Sequence, residues 1–208
     1  MIDRTKVFIS HSGLDNDLID HFDKSLKVVG ITPFLAEQFP ATGENVPKKI
    51  AFHIRESNAF VPIMSKKSLS NQWVNQEIGY AFHLLESQDR NPPYFFPAVE
   101  KGLGDSVKGF LGIPVTEFIL LDRDNPKEAI YRLLLALRKY MCRYLDYLSI
   151  VCPSCKKTFR KYLPEQKDID NAIRLKKPLE AVCKNCDERV SIDPQTLLVQ
   201  GSSSGLSW

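Results

Sequence analysis

No stretch of this sequence comes near the roughly 20 consecutive apolar residues that a membrane-crossing helix requires, so a bilayer span is not expected. The first ten residues read as strand and carry Asp3, Arg4 and Lys6, which does not match the layout of a secretory leader. The expected location is cytoplasmic. Charge of one sign is equally scarce: a net charge of +3 over 208 residues, with bases interleaved among acids, is too little to argue for a nucleic-acid partner from composition. There is no internal repeat. Nor is there a G-x-G-x-x-G turn, which excludes a dinucleotide held as a redox cofactor on a glycine-rich fingerprint. Cysteine is sparse, but four of the five fall in two C-x-x-C pairs, a spacing that in a reducing compartment indicates metal before disulfide. The fifth, Cys142, reads as a small residue on a packed helix.

What is present is ordinary globular material, 43% hydrophobic and 25% charged. Over residues 7–137, short β-rich runs alternate with helical stripes. Val7–Ser10 is a buried strand, and Asp15 is placed to cap a helix striped by Leu18, Phe22, Leu26 and Val29 that ends near Gly30. Pro33–Leu35, Ala59–Met64, Tyr94–Val99 and Thr116–Leu121 read as further strands, with helices over Lys48–Ser57 and Gln72–Leu85. Asn125, Pro126 and Glu128 open a last helix whose stripe is Ile130, Leu133, Leu134 and Leu137. This alternation predicts an α/β fold: an open parallel sheet with helices on both faces. Ligands of such sheets bind beyond the carboxyl ends of the strands, where Ser10-His11-Ser12, the loop 36–47 and the loop Ser65–Ser70 would lie.

The last stripe continues through Tyr140, Met141, Tyr144, Leu145 and Leu148 towards Val151. It is read as a helical connector over 139–150 that could also serve as a seam for another chain. The chain then divides into a domain over 1–138, this connector, a cysteine-marked module over 151–199, and a flexible Gly/Ser tail over 200–208.

The segment Ser65-Lys-Lys-Ser68-Leu-Ser70-Asn-Gln-Trp73-Val-Asn-Gln-Glu77 is the most informative one. It sets a tryptophan and a carboxylate four residues apart, hence on one helix face, directly after a serine-rich loop. Glu77 reads either as a group facing a ligand pocket or as a surface residue paired with a lysine. Trp73 reads as core or as a pocket wall. Phe8 reads as sheet packing, His11 as a loop hydrogen-bonding group or a ligand contact, and Phe39 as a stacking residue or a hinge anchor. Ser65, Ser68 and Ser70 most simply satisfy loop and helix-start amides.

Residues 5 to about 138 resemble a TIR (Toll/interleukin receptor) domain. The matching segments are Phe8-Ile-Ser10-His11-Ser12, then Phe34-Leu35-Ala36-Glu37 leading into a loop with Gly43, then Ser65…Ser68…Ser70…Trp73…Glu77. The resemblance implies a flavodoxin-like parallel sheet and two functional outcomes: adaptors that only assemble with one another, and enzymes, many of them prokaryotic, that cleave NAD between nicotinamide and ribose. In the catalytic kind the essential acid lies four residues after the tryptophan, which here is Glu77. Ser10, His11, Phe39 and Trp73 are then the expected substrate-binding residues. The resemblance also implies self-association through the domains and a role in a defence or signalling response, with ADP-ribose or cyclic ADP-ribose as product. Ser12-Gly13 stands where some catalytic members carry basic residues, which leaves the NAD phosphates without an evident partner.

Cys152-Pro-Ser-Cys155 and Cys183-Lys-Asn-Cys186 can each fold into a knuckle with two converging thiolates. Two knuckles supply the four-sulfur tetrahedron that structural Zn²⁺ prefers. The 27-residue spacer between Cys155 and Cys183 implies an inserted element, expected around Asp168–Lys176. The module resembles a zinc ribbon, whose ion is structural and whose partner would be a protein or a nucleic acid. Lys156, Lys157, Arg160 and Lys161 form a local basic patch that reads as a solvated face or a contact surface.

Overall fold

The structure, a computed structural model, describes residues 5–35, 46–87, 92–104, 107, 118–141 and 146–200. Six strands form one sheet: β1 (Lys6–Ser10), β2 (Thr32–Leu35), β3 (Ala59–Met64), β4 (Tyr94–Phe95), β5 (Ala98–Glu100) and β6 (Ile119–Leu121). The order is β2-β1-β3-β5-β6, all pairs are parallel, and β4 also pairs with β3. The run Tyr94–Val99 is therefore not one strand but two. Prolines explain the break. Pro62 and Pro97 carry no amide hydrogen to donate, and β3 changes partner at Pro62, from β4 at Ala59 and Phe60 to β5 at Ile63 and Met64.

The sheet alternates its faces residue by residue. Val7, Ile9, Val61 and Ile63 pack on one side against α1 (Asn16–Val28) and the helix Pro126–Met141. Phe8, Phe60 and Met64 pack on the other against α2 (Val46–Arg55) and α3 (Gln72–Glu86), with the Phe8 and Phe60 rings stacked at 5.8 Å. The helix Pro126–Met141 is α4.

Asp15 holds the position before α1 but makes no side-chain cap bond there, contrary to expectation. Its fully buried carboxylate accepts from Ser65 Oγ at 2.6 Å and from Arg123 at 2.5 Å, and Arg123 also reaches Glu100 at 2.9 Å. This network clamps the loops after β1, β3, β5 and β6 together at the carboxyl edge of the sheet. Ser65 and Ser68 bond each other's amides, as expected. Arg123→Ala would strand a buried carboxylate, and a loss of about 3 kcal/mol is expected, measurable by urea unfolding.

The expected helical connector over 139–150 needs correction. Among the described residues α4 ends at Met141, and β7 (Tyr147–Val151) is a strand with burial alternating exposed and buried. Leu148 fits a helical stripe as a single point, but Leu148 and Ile150 together, between exposed Tyr147, Ser149 and Val151, obey the two-residue period of a β-face. Cys142 and the rest of 142–145 lie outside the described residues, as does the tail beyond Gln200. β7 pairs antiparallel with β8 (Thr158–Tyr162), followed by α5 (Gln166–Arg174), close to the expected insertion, and by the hairpin of β9 (Leu179–Val182) and β10 (Arg189–Ile192). This module lies against α1 and α4. Leu148, Ile150, Ile169 and Leu197 share a continuous core with Val29, Leu134 and Leu137, bordered by Lys127–Asp193 at 2.9 Å and by Tyr131 bonded to Asp170.

Candidate functional site

The strand order reverses direction between β1 and β3, the point where open parallel sheets leave a crevice at their carboxyl ends. Ser10 ends β1 there, on the same sheet face as Phe8 and thus towards α3. Asn71 precedes α3, and its side chain accepts from the amides of Trp73 at 2.9 Å and Val74 at 3.4 Å. The cap is therefore Asn71 and not the serines before it. From that start, the helix turns Val74, Glu77, Ile78, Ala81 and Leu84 towards the sheet.

Glu77 is thus a carboxyl group in an apolar row, only 4% exposed. Ser10 Oγ donates a hydrogen bond to its Oε2. Burial pushes the Glu77 carboxyl up to about 7, and the Ser10 hydrogen bond offsets part of that rise. Among the described residues Glu77 is not a surface group paired with a lysine: it is buried and bonded to Ser10. A carboxyl poised between its two forms at neutral pH, at the edge of a cleft, is a common property of reactive sites.

The cleft lies between α2 and α3 and holds about 290 Å³. Glu77 lines it together with Trp73, Gln76 and Tyr80 from α3 and Lys48 and Ile50 from α2. Trp73 is 52% exposed, so it is a wall of the cleft and not part of the core. Gln76 and Tyr80 stand three and seven residues after Trp73, on the same helical stripe, and the spacing alone could have found them. Lys48 could not be found that way, since its place depends on how α2 packs against α3. It brings a cation to a site that the turn after β1 leaves without one.

His11 is buried, with Nδ1 3.4 Å from the Ile9 carbonyl oxygen, and does not line this cleft. The structure thus brings Ser10, Trp73 and Glu77 together and turns His11 back onto its own strand. Phe39 lies outside the described residues.

At the other end of the molecule the four thiols of Cys152, Cys155, Cys183 and Cys186 lie within 4.8 Å of one another. Cys152–Cys186 and Cys155–Cys183 are 3.6 and 3.7 Å apart. Those separations are far too long for disulfide bonds. They match the edge of a tetrahedron with metal–sulfur bonds of about 2.3 Å, which is roughly 3.8 Å. Each knuckle closes alike: the first cysteine amide donates five residues ahead (Lys157, Glu188), and the amide four residues on (Lys156, Asp187, both with positive φ) returns to the first cysteine carbonyl. The four side chains can therefore take one metal ion.

A family model described as "TIR domain" matches residues 7–134. No curated protein sequence is significantly similar to the chain. Among solved structures, the TIR domains of the activated Roq1 resistosome directly recognizing the pathogen effector XopQ superimpose with a TM-score of 0.51 at 17% identity, covering 64% of this chain and 99% of that one.

Proposed function

The chain belongs to the TIR domain family, and from that premise we propose that it cleaves NAD at the nicotinamide–ribose bond, with Glu77 as the catalytic carboxylate. The observation that carries this reading is a buried Glu77, held by Ser10 and facing a cleft of about 290 Å³. Nicotinamide leaves as a neutral ring, so the barrier lies in the positive charge growing on the ribose. One carboxylate beside the ribose stabilises that charge and holds its hydroxyls. Ser10 orients the carboxylate. Trp73 and Tyr80 offer flat walls for a ring, and Lys48 at the rim offers a cation for the diphosphate. Water then gives ADP-ribose, and attack by the folded-back adenine gives the cyclic product.

The rival reading is a scaffold that assembles signalling partners without turnover, and the likeness to a resistosome TIR domain supports assembly in either case. A defence or signalling role with self-association follows from both. One experiment separates them, and a second tests the cleft. NAD incubated with concentrated, zinc-replete protein should release nicotinamide, and Glu77→Ala should release none while keeping its fold; absence of product from the wild type even under crowding supports the scaffold. Lys48→Glu should raise KM for NAD about tenfold with kcat within about twofold, because it removes binding that the bound substrate and the transition state share equally. An unchanged KM would remove Lys48 from the site.

The ion we assign to the thiol cluster is Zn²⁺, on the strength of four sulfurs at tetrahedral spacing with no open position. It supplies a cross-link between the two hairpins of the module and no chemistry to the cleft.

A further inference from the structure

The hairpin β7–β8 leaves one face uncovered. Leu148, Ile150 and Phe159 point into the core, whereas Tyr147, Ser149 and Val151 stand in register opposite Tyr162, Arg160 and Thr158 on the outer face, all exposed. Tyr147 and Tyr162 form a cross-strand pair with ring centroids 4.5 Å apart and planes tilted by 35°, and Tyr162 is 70% exposed. A pair of rings held against each other yet left open to water is a rigid apolar platform with no intramolecular partner above it among the described residues. Arg160 stands in the next ladder row but one, and Lys156 and Lys157 emerge from the knuckle at the far end. The basic residues available to this face are Arg160, Lys156 and Lys157; Lys161 lies in the row of Leu148 and bonds the Glu180 carbonyl, and among the described residues Asp146 is the one acid beside Tyr147.

The second hairpin makes an instructive contrast. Its outer face carries Glu180 and Arg189 together with Val182 and Ser191, mixed in charge and without an aromatic ring. Of the two hairpins, the first combines stacking surface with an excess of positive charge, three bases against Asp146. That pairing of aromatic rings and cations along a sheet face fits unpaired bases, whose flat faces stack while their phosphates meet the basic side chains. A duplex hides its bases and would engage the cations alone.

We propose that the outer face of β7–β8 binds single-stranded nucleic acid, with Tyr147 and Tyr162 stacking on bases and Arg160, Lys156 and Lys157 contacting the backbone. This surface is separate from the cleft at Glu77 and its assignment does not depend on NAD cleavage.

The test is fluorescence anisotropy of labelled 12-nucleotide oligothymidine, oligouridine and a 12-base-pair duplex with the zinc-replete full chain, over a salt series. Binding in the micromolar range is expected for a single strand, at least about tenfold tighter than for the duplex and weakening with salt. The two single strands distinguish DNA from RNA as the source. Tyr147→Ala with Tyr162→Ala should weaken binding by at least about tenfold, and Tyr162→Phe should preserve it. Zinc stoichiometry and circular dichroism establish that these variants are folded. Equal affinity for duplex, or indifference to the tyrosine pair, overturns the proposal. So does a dimer in light scattering that Tyr162→Ala dissolves while no strand binds, since the occupant would then be a second copy of the chain.

Discussion

Glu77→Gln is expected to lower NAD cleavage by on the order of 10³-fold and, at the same time, to stabilise the protein above pH 7. Both effects have one cause. Glutamine keeps the shape of the side chain and an oxygen that can accept from Ser10, but it cannot carry the negative charge that a cationic ribose needs. The same charge is what burial penalises. In the folded protein Glu77 loses its proton near pH 7, against an ordinary value of 4.5. Between those two values the unfolded chain is ionised at this position while the folded one holds its proton, so stability falls as pH rises through the window. Above pH 7 the full deficit is present, on the order of 3 kcal/mol. Removing it should raise the thermal midpoint by roughly 5–10 °C above pH 7, less whatever the new amide loses by lacking a partner. Wild type and variant should converge near pH 4.5. Thermal scans at several pH values check this, and a variant no more stable at pH 8 than at pH 5 relative to wild type would refute the burial argument.

On the proposed reading, the same group should set the pH dependence of NAD cleavage. Only the carboxylate form assists cleavage, so kcat/KM should rise about tenfold per unit below pH 7 and level off above it. The bound pyridinium cation favours the carboxylate, so kcat should show its inflection at a lower pH than kcat/KM. Coincident inflections would place the titrating group away from the substrate's positive charge.

Much of this site was legible because its parts follow short periods. Phe8 and Ser10 are two apart on a strand, and Trp73 and Glu77 four apart on a helix. What the periods do not carry is contact between elements. The meeting of Ser10 with Glu77, 67 residues apart, needs β1 and α3 to be neighbours, and the place of Lys48 needs α2 to lie beside α3. Trp73 shows the limit from another side: it stands one turn before Glu77, yet in the first turn of α3 it lines the cleft and stays half exposed. Asp15 illustrates competition. The residue type and position suit a helix cap, but the half-buried Arg123 and the buried Ser65 bind its carboxylate more strongly than free amides at a helix start. Over the connector Leu148 satisfies two periods at once, and only Ile150 beside β-branched Val151 decides between them.

Removal of the metal should have the second large effect, and its reach follows from the packing. The cysteine module is short of core residues of its own, and Cys152 and Cys183 are themselves buried beside Leu148, Ile150 and Val190. Four unligated thiols there hold the two hairpins together weakly, whereas a bound structural zinc contributes about 10–16 kcal/mol to such folds. Chelation, or Cys183→Ser, is therefore expected to melt residues 147–200 at ambient temperature. The damage should continue into the other domain. Val29, Leu134 and Leu137 lose the apolar cover of Leu148, Ile169 and Leu197, and Lys127 and Tyr131 lose Asp193 and Asp170. Hydrogen exchange after chelation should accelerate in α1 and α4 and leave α2 and α3 protected, because the latter pair rests on the opposite face of the sheet with a separate core. A midpoint lowered by more than about 10 °C, restored by zinc, is the matching thermal signature. If exchange changed in residues 147–200 alone, the two parts would be folding independently and the shared core would add little. If α2 and α3 opened as well, the loss would be global, and the cleft at Glu77 would depend on the distant ion for its shape.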